Sequence, residues 1–196
     1  MDQSFLRDKI VSLIYFADLD HMGDFAVYML AEKAPGPFWL APASSSGKYH
    51  PEDERGPGGT VLHTARVVRI ALDLAEMDDL SQGERSDLVL AAVLHDMWKG
   101  GEGDEPLPHT WKLHQLAPRA YVPPIFDEWA KEHLGPYDRD AGRKRIDRIL
   151  RAVEAHEGRW SILPIARKDP SYGGHIGRML HIADYLASRP HITVHV

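Results

Sequence analysis

His95 and Asp96 stand side by side directly after the apolar run 88–94, Leu-Val-Leu-Ala-Ala-Val-Leu. Burial of two polar side chains at the end of such a helix costs roughly 1–3 kcal/mol for each group that lacks a partner. A divalent metal ion is a partner that accepts both an imidazole nitrogen and a carboxylate oxygen. The pair therefore predicts a metal site in a helical core.

Further potential ligands lie elsewhere along the chain, on other predicted helices. His63, His156 and Asp184 each fall on an apolar stripe at helical spacing, which directs their side chains towards the core. His114 stands between the His-Asp pair and His156. Polar side chains that face a core from several helices can converge on one point, as in metal-binding helix bundles.

The elements that must position these residues are helices joined by loops rich in proline and glycine. Apolar spacing and capping signals predict helices over 4–16, 24–33, 60–77, 110–121, 125–133, 138–156 and 175–188. A capping box at Ser81 and Glu84 predicts one more helix, which ends in His95-Asp96 before Gly100-Gly101. Long loops are expected over 34–59, 100–110 and 158–174, and Pro123-Pro124 is expected to separate two helices. The pattern favours an all-α bundle in a single domain over 1–196.

Composition narrows the function classes. The 196 residues include no cysteine, which leaves His, Asp and Glu as the strong metal ligands, and the formal net charge is −6. This acidic balance disfavours nucleic acid as a partner. The longest apolar run is too short to span a bilayer, and no signal peptide is recognisable, so we expect a cytoplasmic protein without a membrane partner.

The order His63, His95-Asp96 and Asp184 resembles the H…HD…D signature of the HD-domain metal-dependent phosphohydrolase superfamily. The intervals are 32 residues between the two histidines and 88 between the two aspartates. The resemblance implies an HD-type metal-binding core over 58–188, with N-terminal helices and an active-site loop over 1–57. It also implies that these four residues bind one divalent metal and that Lys99 matches the lysine of the HD-x-x-K pattern.

Some members of that superfamily bind a second metal through two more histidines. His114 and His156 match them best, and His109 and His133 compete for the same roles. The alternative is a single ion, with His114 and His156 binding phosphate or water. The resemblance leaves the metal open among Mn, Fe, Zn, Co, Ni and Mg.

The resemblance implies hydrolysis of a phosphate ester or anhydride in a small substrate such as a nucleotide, by water that the metal activates. We expect Asp96 and Lys99 to be catalytic, and Lys48, His50 and Arg66 to bind the substrate. Three alternatives stay open: a di-iron oxygenase of the same superfamily, a single-strand nuclease using Arg139 to Arg151 and Trp160, and a non-catalytic nucleotide sensor. A homo-oligomer is also compatible with the sequence.

Overall fold

A computed structural model describes residues 3–44, 48–169 and 171–196, so the serine-glycine part of the long loop at 45–47 and Pro170 lie outside the described residues. The described chain is all-α, without a strand. Its helices are α1 (Gln3–Tyr15), α2 (His21–Tyr28), α3 (Gly36–Leu40), α4 (Gly59–Met77), α5 (Gln82–Leu94), α6 (Ala117–His133), α7 (Pro136–Ala155), α8 (Pro164–Lys168) and α9 (Gly174–Ala187). A π-helical turn, Met29–Lys33, extends α2, and 3-10 turns lie at Glu52–Glu54 and Gly158–Trp160.

Helices α4 and α5 form the centre of the bundle. Every side chain of the run 88–94 is buried, and α5 contacts α2, α4, α7 and α9. Such a helix must be apolar all round, which explains why its sequence shows no polar face in this stretch. The predicted capping box at Ser81 and Glu84 is present, and it fixes where α5 begins.

The end of α5 differs in detail from the sequence expectation. The helix ends at Leu94, and His95 to Gly100 form tight turns, with Gly101 at φ +102°, a left-handed conformation that glycine adopts without strain. The His-Asp pair therefore lies at the first residues beyond the helix. Because the backbone turns here instead of continuing as a helix, the consecutive side chains of His95 and Asp96 are both buried in the core.

The prediction of two helices separated by Pro123-Pro124 is wrong. Residues 112–116 form turns, and the single helix α6 runs through both prolines. A proline inside a helix costs about 3 kcal/mol. Burial of Pro118, Val122, Phe126 and Trp129, which recur at helical spacing on both sides of the prolines, offsets that cost.

The loop 34–59 is attached to the start of α4 by a set of hydrogen bonds. Thr60 donates its N–H to Ala41 O and its hydroxyl to Pro42 O, while Ala43 donates to Glu54 O. Gly59 packs so closely on this loop that a Cβ would lie 1.9 Å from the Glu54 carbonyl oxygen. The loop is thus held against the helix that carries His63.

Within the described residues, we find no helix with the length and apolar character needed to span a bilayer.

Candidate metal centre

The six predicted metal ligands meet in the middle of the bundle. His63 lies in the second turn of α4, His95 and Asp96 follow α5, and Asp184 belongs to α9. His156 immediately follows α7, and His114 lies in the turns before α6. The four imidazoles and Asp96 are buried, while the Asp184 side chain is partly exposed.

Three of these side chains form one potential metal site, which we call the His63 group: His63, His95 and Asp184. One ligand atom from each lies within 4.8 Å of the others. His63 Nε2 and Asp184 Oδ1 are 3.0 Å apart, and the rings of His63 and His95 are 5.5 Å apart between centroids. Two imidazoles and a carboxylate at this spacing can share one divalent ion.

The remaining three side chains form a second potential site, the His114 group: Asp96, His114 and His156. Their ligand atoms also lie within 4.8 Å of one another. The ring centroids of His114 and His156 are 5.6 Å apart, and those of His95 and His156, one from each group, are 5.3 Å apart. The two groups are therefore neighbours in one buried site.

Asp96 connects the two groups through its two carboxylate oxygens. Oδ2 lies 3.4 Å from His95 Nε2 and 3.9 Å from His63 Nε2. Oδ1 lies 3.3 Å from His114 Nε2 and 3.8 Å from His156 Nε2. Because one oxygen faces each donor group, this carboxylate could contribute a ligand atom to either group.

Three of the histidines are oriented by the main chain. Their Nδ1 atoms lie 2.6–2.8 Å from the carbonyl oxygen three residues earlier: His95 to Ala92, His114 to Trp111 and His156 to Val153. Nδ1–H donates in each bond, so Nε2 carries the lone pair that faces the other ligands. Fixing the tautomer in this way is typical of metal-binding histidines.

Several buried ligand atoms lack a hydrogen-bond partner among the described residues. They are His95 Nε2, His114 Nε2 and Asp96 Oδ1. Buried polar atoms are rarely left unpaired, because each one costs free energy. All three atoms point into the two donor groups. The donor set therefore fits one or two divalent ions that accept imidazole and carboxylate ligands.

The charges in the site depend on which partner each imidazole faces. Burial opposes a charge on His63, but hydrogen bonding to Asp184 and contact with Glu54 outweigh burial and raise the His63 pKa to about 9. Burial, reinforced by the neighbouring His95, lowers the pKa of His156 to about 3. Burial alone would raise the Asp96 pKa, but Lys99 and the imidazoles lower it well below its usual value. Asp96 is therefore ionised and available as a ligand.

Lys99 lies at the mouth of the site. Its Nζ donates to Asp96 Oδ2 over 2.6 Å, and the surrounding carboxylates raise its pKa despite burial. Lys99, His156 and Asp184 contribute to the wall of an open cavity of about 540 Å³. The other lining residues are Tyr49, His50, Glu157, Arg159, Trp160, His181, Tyr185, Ser188 and Arg189.

The three residues expected to bind substrate lie in different places. His50 lines the cavity, and its Nδ1 pairs with Glu54 Oε2 over 2.7 Å. Lys48 is exposed, with its Nζ 5.2 Å from the centroid of the Tyr49 ring. The Arg66 guanidinium does not line the cavity, because it is bound to the carboxylates of Asp53 and Glu54.

The competing histidines lie outside both donor groups. His109 is exposed, and His133 stacks on the Trp129 ring and bonds to the Trp129 carbonyl oxygen.

The sequence did not indicate two acidic residues that the structure brings to the site. Glu54 is fully buried beside His63, and Glu157 Oε1 lies 3.7 Å from His114 Nε2. Glu157 could have been selected from the sequence, because it directly follows His156. Glu54 could not, because its place in the long loop is the only indication that the sequence gives.

The comparison with protein families agrees with this geometry. The sequence profile of the HD domain matches residues 60–189, a range that includes all six predicted ligands. Searches of curated proteins and of solved structures gave no match. Because the profile covers most of the chain, this chain belongs to the HD-domain family.

Proposed function

We propose that this protein is a metal-dependent phosphohydrolase that hydrolyses a phosphate ester or anhydride in a small phosphorylated substrate of the nucleotide class. The observation that carries the proposal is the Asp96 carboxylate between the two donor groups, next to a cavity that Lys99 lines. Membership of the HD-domain family supports metal-dependent hydrolase chemistry at the coarser level.

The donor groups would hold one or two divalent ions, His63, His95 and Asp184 on one side and His114 and His156 on the other, with Asp96 shared. Bound there, such an ion would supply water of lowered pKa and withdraw charge from a phosphoryl oxygen. The protein supplies the positioning and the further positive charge that phosphoryl transfer requires. Lys99 bonds directly to Asp96, and its ammonium group is suited to neutralise phosphate oxygens at the cavity wall.

The rim of the cavity favours a substrate with an aromatic part and a negative charge. Trp160 and Tyr185 each carry an arginine over one face, with Arg159 Cζ 4.3 Å and Arg189 Cζ 4.2 Å from the ring centroids. Aromatic faces stack on nucleobases, and guanidinium groups bind phosphate in a bidentate manner. This combination supports a nucleotide over a purely aliphatic phosphate.

The test is a phosphate-release assay over nucleoside mono- and triphosphates and cyclic nucleotides, with each candidate metal. We expect activity that depends on added metal and is absent from a His95→Ala/Asp96→Ala variant. The matched control is Asp87→Asn, which removes a buried carboxylate held by Arg145 and Arg148 and should retain activity. Metal uptake by the folded wild type without phosphate release from any substrate would contradict the proposal.

A di-iron oxygenase is the second candidate, favoured by the same bridging carboxylate between two imidazole-containing groups. An iron-loaded protein that consumes dioxygen and releases no phosphate would establish it. The nuclease alternative gains less support, because most of the arginines of α7 are paired with carboxylates. Arg143 pairs with Asp127, Arg145 with Asp20 and Asp87, and Arg151 with Asp147.

A further inference from the structure

His63 differs from the other histidine ligands in the way its ring is supported. His95, His114 and His156 lie at helix ends or in turns, where a nearby carbonyl oxygen accepts Nδ1–H. His63 lies inside α4, where the carbonyl oxygens of the preceding turn belong to the helix, and Thr64 already bonds to Thr60 O. The main chain therefore offers His63 no equivalent support.

The atom that faces His63 Nδ1 is a carboxylate oxygen. Glu54 Oε2 lies 3.3 Å away, in an ion-pair contact rather than a well-aligned hydrogen bond. The opposite edge of the ring points into the donor group, where Nε2 meets Asp184. A carboxylate on one ring nitrogen and a metal-facing lone pair on the other is the arrangement that orients a histidine ligand and raises its basicity.

Glu54 is itself held firmly. Its side chain is fully buried, Oε2 also pairs with His50 Nδ1, and Oε1 bonds to Arg66 Nη1 over 2.5 Å. Arg66 is fixed in turn by a bidentate pair with Asp53, over 3.0 and 2.7 Å. A buried carboxylate with three cationic or N–H partners stays ionised and keeps its position.

We infer that Glu54 is a positioning residue that selectively sets the metal affinity of the His63 group, and that Arg66 acts through it. This inference rests on the metal centre of the proposed function. It gives Arg66 a task that its contacts support better than direct substrate binding. It also gives the long loop a role, since the loop is attached to α4 at the point that brings Glu54 against His63.

The test is a titration with Zn²⁺ alone against a fluorescent chelator, at constant pH. It compares the wild type with Glu54→Gln and with Asp87→Asn, which removes a second buried carboxylate that is bound by arginines and lies eight residues before His95. We expect Glu54→Gln to weaken one binding step by about 10–100-fold. That step should be the one that His63→Ala removes, and Asp87→Asn should leave both steps unchanged.

Arg66→Lys provides a second variant, which decides the question if Glu54→Gln does not fold. It keeps the positive charge but loses the bidentate contact, so the same step should weaken by less. Wild-type zinc affinity in Glu54→Gln would overturn the inference. If Glu54→Gln does not fold, wild-type zinc affinity in Arg66→Lys would overturn it. Equal weakening of both steps, or the same loss in Asp87→Asn, would also overturn it. A folded wild type that takes up no zinc would instead overturn the proposed metal centre itself.

Discussion

The two donor groups are built from the same residue types but are supported differently. In the His114 group, both imidazoles are oriented by carbonyl oxygens of their own turns. In the His63 group, His63 comes from inside a helix and faces the Glu54 carboxylate from a distant loop. A helix end or a turn leaves carbonyl oxygens unpaired, so it can orient a ligand with no further residue, whereas a ligand inside a helix needs a dedicated partner.

The largest effect is expected from the residue that both groups share. Asp96→Asn replaces a carboxylate with a neutral amide, so zinc affinity should fall at both steps by more than the roughly 10–100-fold that loss of an outer-shell partner costs. Metal analysis of the purified protein checks this result, with Asp184→Asn as the control that should weaken the His63 group alone. Wild-type zinc content in Asp96→Asn would show that the carboxylate does not join the groups.

Removal of one imidazole should separate the two groups. His63→Ala and His114→Ala should each bind one zinc ion where the wild type binds two, because each variant leaves the other group intact. Titration with Zn²⁺ in the presence of a competing chelator checks the stoichiometry. One zinc ion in the wild type and none in either variant would mean that the six side chains hold a single ion rather than two.

Five of the six proposed ligands could be selected from the sequence because each has a local signal. His63, His156 and Asp184 lie on apolar helical stripes, and His95-Asp96 follows a helix buried on all sides. These signals also predicted the all-α fold and most of its helices. The family resemblance, rather than spacing alone, brought His114 into the set.

The rest depended on contacts that no local pattern encodes. Glu54 lies in an acidic stretch of a loop, and only the attachment of that loop to α4 brings it against His63. Arg66 has the helical position expected of a residue near His63, but two carboxylates bind its guanidinium. Pro123-Pro124 indicated a break in the helix, but buried side chains on both sides outweighed the local preference.

Lys99 offers a way to separate metal binding from hydrolysis. Its ammonium group bonds to Asp96 Oδ2, the oxygen that faces the His63 group. Lys99→Met should keep both zinc ions, because the lysine is not a ligand, and should lower kcat/KM for phosphate release by about 100-fold through loss of charge neutralisation. Steady-state kinetics beside zinc titration checks this. A loss of zinc that matches the loss of activity would instead give Lys99 a structural role at Asp96.

The smallest effect concerns pH, and it should distinguish the two groups by how steeply their zinc affinity depends on pH. The His63 pKa is raised to about 9, so at neutral pH the ring is protonated and an incoming metal must displace that proton. The His156 pKa is lowered to about 3, so this ring is already neutral and competes with no proton. Zinc affinity of the His63 group, measured in His114→Ala, should therefore rise about tenfold per pH unit between pH 6.5 and 8.5. The slope for the His114 group, measured in His63→Ala, should be smaller, and equal slopes would show that the different supports of the two groups do not affect proton competition.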